Sequence, residues 1–97
     1  MHVGVCRLSF RLPENHNLKG KRQVSRSLIA KVRNRFNVAI AEIDDADLWQ
    51  RLTLGVCCVS NDSGHTNAII SQVVSFIEAS RGDLELLDYQ VEVISGF

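Results

Sequence analysis

His2-Val3-Gly4-Val5-Cys6-Arg7-Leu8-Ser9-Phe10-Arg11-Leu12 alternates in character, with Gly4, Cys6, Leu8, Phe10 and Leu12 on one side and Val3, Val5, Arg7, Ser9 and Arg11 on the other. A period of two sustained over this length is the pattern of a strand buried on one face. Pro13 and the polar run Glu14, Asn15 and His16 end it, and Asn17 then supplies an N-cap. From there Leu18, Leu28, Ile29, Val32 and Phe36 recur at helical spacing, which predicts a helix closing near Phe36 and Asn37. Val38 to Ile43 reads as a second strand and Arg51 to Ser60 as a third, with Leu52, Leu54, Val56 and Cys58 inward. An acidic turn with Asp44, Asp45 and Asp47 separates them. After the break at Asn61, Asp62, Ser63 and Gly64 comes a second amphipathic helix with Thr66, Ile69, Ile70, Val73 and Ile77 on one face. Gly82 then marks the turn into a last strand with Leu87, Tyr89, Val91 and Val93 inward.

The order is β-α-β-β-α-β. Two right-handed crossovers on one sheet give an α+β, ferredoxin-like plait, a four-stranded antiparallel sheet in the order 4-1-3-2 with both helices on one face. Ninety-seven residues are enough for one such domain, spanning 1–97, and too few for two cores. No stretch reaches the roughly 20 apolar residues that cross a bilayer, and no signal peptide opens the chain, so a cytoplasmic protein without a membrane partner is expected. Cys6, Cys57 and Cys58 are an odd set without CxxC spacing, which points to reduced thiols.

Charge is distributed unevenly along the chain. Nine of the first thirty-five residues are Lys or Arg and only Glu14 is acidic, whereas the other sixty-two carry two basic and ten acidic side chains. Lys19, Lys21, Arg22, Arg26, Lys31, Arg33 and Arg35 fall in one segment that contains no carboxylate. On a helical wheel Lys19, Arg22, Arg26 and Arg33 share a flank. The like-charge pairs Arg22 with Arg26 and Lys31 with Arg35 each cost a few tenths of a kcal/mol, and Lys19, Lys21 and Arg22 crowd the end of the helix where its dipole opposes cations. A polyanion would offset that cost. The expectation is therefore a nucleic-acid interface made by Lys19, Lys21, Arg22, Arg26 and Arg33. The competing expectation is an ordinary solvated helix face, or one that meets the Asp44 to Asp47 turn of the same or a neighbouring subunit.

The segments Asn17-Leu18-Lys19-Gly20-Lys21-Arg22, Ser27-Leu28 and Arg33-Asn34-Arg35-Phe36-Asn37-Val38 resemble the YlxP-like family of small bacterial proteins of unknown function. Ala41-Glu42, Asp47-Leu48-Trp49-Gln50-Arg51 and Leu54-Gly55-Val56 continue the resemblance over roughly two thirds of the chain. It implies the same plait, no established enzyme activity, and genes set among those of translation factors, hence an RNA or ribosome context. Relatives usually carry Ser and Glu where this chain has Asn17 and Gly20, so the reciprocal capping box is lost and a looser first turn is expected.

Other candidates are weaker. The outward positions of the central strands, Arg7, Ser9, Arg11, Arg51, Thr53, Gly55, Cys57 and Val59, include no aromatic on which a base would stack. Arg7 and Arg11 are expected to pair with acids of the last strand. Val3, Val5 and Val59 on that face suit a homodimer, and the alternative function is a homo-oligomeric small-ligand sensor or assembly module. Trp49 either pins its loop onto the core, which is the expectation, or anchors a partner; His65 lies in a first turn that could hold an anion but is expected to belong to a helix cap. Neither a metal site, a cofactor loop nor a nucleophile and base set is present, so the reading is non-enzymatic.

Overall fold

The computed structural model describes residues 1–97, and its first strand is the alternating segment, β1 (His2–Arg11). It is followed by α1 (Leu18–Arg35), β2 (Ala39–Asp44), β3 (Arg51–Ser60), α2 (Ser63–Ser80) and β4 (Glu85–Ile94). The strands pair antiparallel in the order β2-β3-β1-β4, which is the expected plait read from its other edge. β1 is central because it is buried along one whole face: Cys6, Leu8 and Phe10, with Leu12 just beyond it, meet Leu52, Leu54, Val56 and Cys58 of β3. Val24, Leu28 and Val32 of α1 and Ile70, Val73, Val74 and Ile77 of α2 complete this core.

Both helices begin at side-chain caps. Asn17 Oδ1 accepts from the Gly20 N–H at 2.7 Å, and Asp62 Oδ1 accepts from the His65 N–H at 2.9 Å. His65 thus belongs to the cap, as expected. That hydrogen bond holds the Asp62 carboxyl below its ordinary value of 3.8, so the cap's contribution is complete above that value and fades as pH falls. The two helices meet through Phe36 and Phe76, edge to face at 5.6 Å, with the Arg35 guanidinium 5.7 Å and 5.1 Å from the two ring centres.

Gly4 seats α2 on the sheet. A Cβ there would lie 2.5 Å from Thr66 Cγ2, 3.2 Å from Cys58 Sγ and 3.3 Å from Ile70 Cγ1. Gly4→Ala should therefore destabilise the domain by about 1 to 3 kcal/mol, measured by urea unfolding, because the clash is with buried packing.

One register differs from expectation. Ser9 pairs with Asp88 but Phe10 pairs with Leu86, so β4 carries an extra residue at this point. Leu87, expected inward, is displaced by that bulge and is 45% exposed, while Leu86 takes the place opposite Phe10. No helix is long and apolar enough to cross a membrane.

Candidate nucleic-acid interface

The seven cations of the basic segment have four different environments. Lys19, Arg22 and Arg26 are exposed and lie in no ion pair; Lys31 is exposed likewise. Arg35 is held over the two phenylalanine rings, and Arg33, though exposed, donates one guanidinium N–H to the Ile40 carbonyl of edge strand β2 at 3.0 Å.

Lys21 is a correction to the expected set, because its side chain is fully buried. Its Nζ donates to the carbonyls of Asp45 at 2.6 Å, Ala46 at 3.1 Å and Arg51 at 3.3 Å, and lies 3.7 Å from Glu42 Oε2. An ammonium enclosed by protein oxygens has no donor left to offer a phosphate. Its role is to hold the β2–β3 turn, where Asp45 adopts a left-handed conformation with φ of 61°. A signal for this was present: Lys21 stands on the same helical stripe as Ser25, Leu28 and Val32, all buried.

Within one chain, the acidic turn does not neutralise the outer cations. Asp44 Oδ2 lies 3.1 Å from Arg7, and Asp45 Oδ2 lies 3.2 Å from Arg51 Nε while accepting from Thr53 Oγ1 at 2.6 Å. Asp47 is exposed and lies in no ion pair.

Besides Lys21, neutral contacts tie the turn to the start of α1. Asn15 Nδ2 donates to the Asn17 carbonyl at 2.8 Å and also to the Trp49 carbonyl. Gln50 Nε2 reaches the Asn15 carbonyl at 3.2 Å, and the Leu12 N–H donates to the Gln50 carbonyl at 2.8 Å. Gly20 makes this arrangement possible, since a Cβ at that position would collide with Asn15 Oδ1. The residue that removes the capping box therefore admits a different lock, and the first turn of α1 is braced from outside. Trp49 is the second correction: its ring does not pack into the core but is 53% exposed, with Leu48 beside it 48% exposed. The loop is fixed by its main-chain carbonyls and by the side chains of Asp45 and Gln50, none of which involves the indole.

Residues 3–91 match the family described as "Protein of unknown function (DUF503)". The chain belongs to the DUF503 family. It is also 38% identical over 77 residues to "Uncharacterized protein YlxP" of Bacillus subtilis (strain 168), a match covering 79% of this chain and 84% of that protein. The resemblance read from the α1 and Asp47–Arg51 segments is thus borne out.

The open sheet face of this DUF503 chain is a second surface. Arg7 pairs with Asp44 and lies 3.8 Å from Asp88 of β4, whereas Arg11, opposite Glu85, makes no ion pair. Ser9 and Thr53 are fully buried and bond each other at 3.0 Å. Beside them a depression of about 630 Å³ is lined by Val5, Ala39, Ala41, Ile43, Gly55 and Cys57, with Arg7, Gln90 and Glu92 among its polar residues. Val59 nearby is 63% exposed. Cys6, Cys57 and Cys58 are all free thiols; burial pushes Cys6 up to about 11 and raises Cys58 too. No three His, Cys, Asp or Glu side chains converge as metal ligands.

Proposed function

We propose that this protein is a non-enzymatic, cytoplasmic RNA-binding protein that holds structured RNA, ribosomal RNA included, on the outer face of α1. Lys19, Arg22 and Arg26 are the principal phosphate contacts, and Arg33 adds the part of its guanidinium not used by Ile40. One observation carries this reading: Lys21, Arg33 and Arg35 are engaged by the protein itself, while Lys19, Arg22 and Arg26 on one flank, like Lys31 on the other, are exposed with no carboxylate to neutralise them. Backbone phosphates suit such a ridge, because it offers charge without a fixed pattern of base-reading groups. The test is ultraviolet crosslinking in cells followed by sequencing of attached RNA. Recovery of defined RNA segments is expected; recovery at the level of a non-binding control protein contradicts the proposal.

A second reading, self-association through the open sheet face, is favoured by the apolar depression there and by exposed Val59. Cys57 lines that face and is half-buried, whereas Cys6 and Cys58 are buried and raised, so a maleimide at neutral pH reports chiefly on Cys57. Sheet-to-sheet pairing predicts slower labelling as protein concentration rises, unchanged by salt. A rate independent of concentration removes this reading.

A further inference from the structure

Trp49 combines two properties: a large apolar residue left 53% exposed, and a loop main chain fixed from several directions. Leaving an indole in water forgoes burial free energy, and a flexible loop would let it fold back onto the core. This loop cannot easily do so. Lys21 holds the carbonyls of Asp45, Ala46 and Arg51, Asn15 holds that of Trp49, and the Leu48 N–H donates to the Asp45 carbonyl at 3.0 Å.

The same Asn15 amide bonds the carbonyl of Asn17, the N-cap of α1, so one side chain joins Trp49 to the helix end that carries Lys19 and Arg22. The main chain of the exposed Trp49 is thereby fixed at the N-cap of the helix whose first turns carry the unpaired Lys19 and Arg22. Glu14 and Asp47 are the nearby carboxylates that also lack ion partners; Asp45 and Glu42 are occupied by Arg51 and Lys21.

We infer that Trp49 is a stacking platform for an unpaired RNA base whose flanking phosphates rest on Lys19 and Arg22. This rests on the proposed RNA-binding function and narrows it to RNA with an unpaired segment next to structure. A base offers a π-face to the indole whatever its identity, and stacking of this kind tolerates sequence while requiring that the base be free of its duplex. An apolar protein partner would suit Trp49 and Leu48 alone, but it would not be drawn to the adjoining cations.

The chain's single Trp makes the test direct. Native protein is titrated with a hairpin RNA bearing a six-nucleotide 3′ extension and with the same hairpin blunt-ended, following indole fluorescence and, separately, the anisotropy of a dye on the RNA. Strong quenching by the extended RNA only is expected. Trp49→Ala should weaken the extended RNA roughly 5- to 100-fold, leave the blunt hairpin unchanged, and be largely rescued by Trp49→Phe. Circular dichroism of each variant checks folding. Binding with unmoved fluorescence and an unaffected Trp49→Ala variant overturns the stacking site while leaving the cationic ridge standing. Loss of concentration-dependent self-association in Trp49→Ala, with RNA affinity intact, assigns the ring to a protein contact and equally overturns it. Failure of native protein to bind either RNA overturns this inference together with the function beneath it.

Discussion

Lys21→Met should lower the unfolding free energy by about 2 to 4 kcal/mol and the melting temperature by at least about 10 °C, measured by thermal unfolding followed by circular dichroism. Methionine nearly matches the volume of the buried stem, so the loss isolates the ammonium rather than the packing. Three carbonyls lose their donor, and Glu42, whose buried Oε2 has no hydrogen bond of its own, loses its cation. The left-handed Asp45 also loses the contact that holds its carbonyl at 2.6 Å. Adding Glu42→Gln to the variant should recover part of the loss, because it removes the stranded carboxylate. A change under about 0.5 kcal/mol would show that Lys21 is not the tie described above and would reopen it to a role at the surface.

Replacing Lys19, Arg22 and Arg26 together by Gln should act in the opposite way: RNA affinity falls about 100-fold or more near 0.1 M salt while the fold is retained. Each of the three makes no ion pair within the chain, so its removal breaks none. Removing the Arg22 and Arg26 repulsion should even stabilise the helix by a few tenths of a kcal/mol. The two variants therefore separate two kinds of cation in one helix, which binding and melting measurements read independently. Equal RNA binding by the triple variant and the native protein would remove the functional role of the ridge.

The architecture was legible because β1, β3 and both helices carry long, regular patterns, and their boundaries fell within a residue or two of those expected. What the pattern could not show arises from contacts distant in sequence. Trp49 is exposed because Asn15 and Lys21, 34 and about 28 positions earlier, fix its loop by the main chain; no local periodicity encodes that. The bulge beyond Ser9 that turns Leu87 outward depends on pairing between the two ends of the chain, and nothing in Glu85–Ile94 alone marks it. Lys21 is a different case. Its spacing from Ser25, Leu28 and Val32 puts it on the buried stripe, but a lysine is ordinarily a surface residue, so its charge points outward where its position points to the core. Gly20 carried a related clue, since a glycine in the first turn of a helix is costly unless something occupies the space of its missing side chain, here Asn15.

The most direct test of the cationic ridge is the salt dependence of RNA binding. Dissociation constants of the extended hairpin are measured from 50 to 300 mM KCl for native protein and for the Lys19, Arg22 and Arg26 triple variant. Three phosphate contacts predict that the logarithm of affinity falls against the logarithm of salt with a slope steeper by about 2 for the native chain than for the variant. Parallel lines, or no native binding at the lowest salt, would contradict the assignment of α1 as the RNA-binding element.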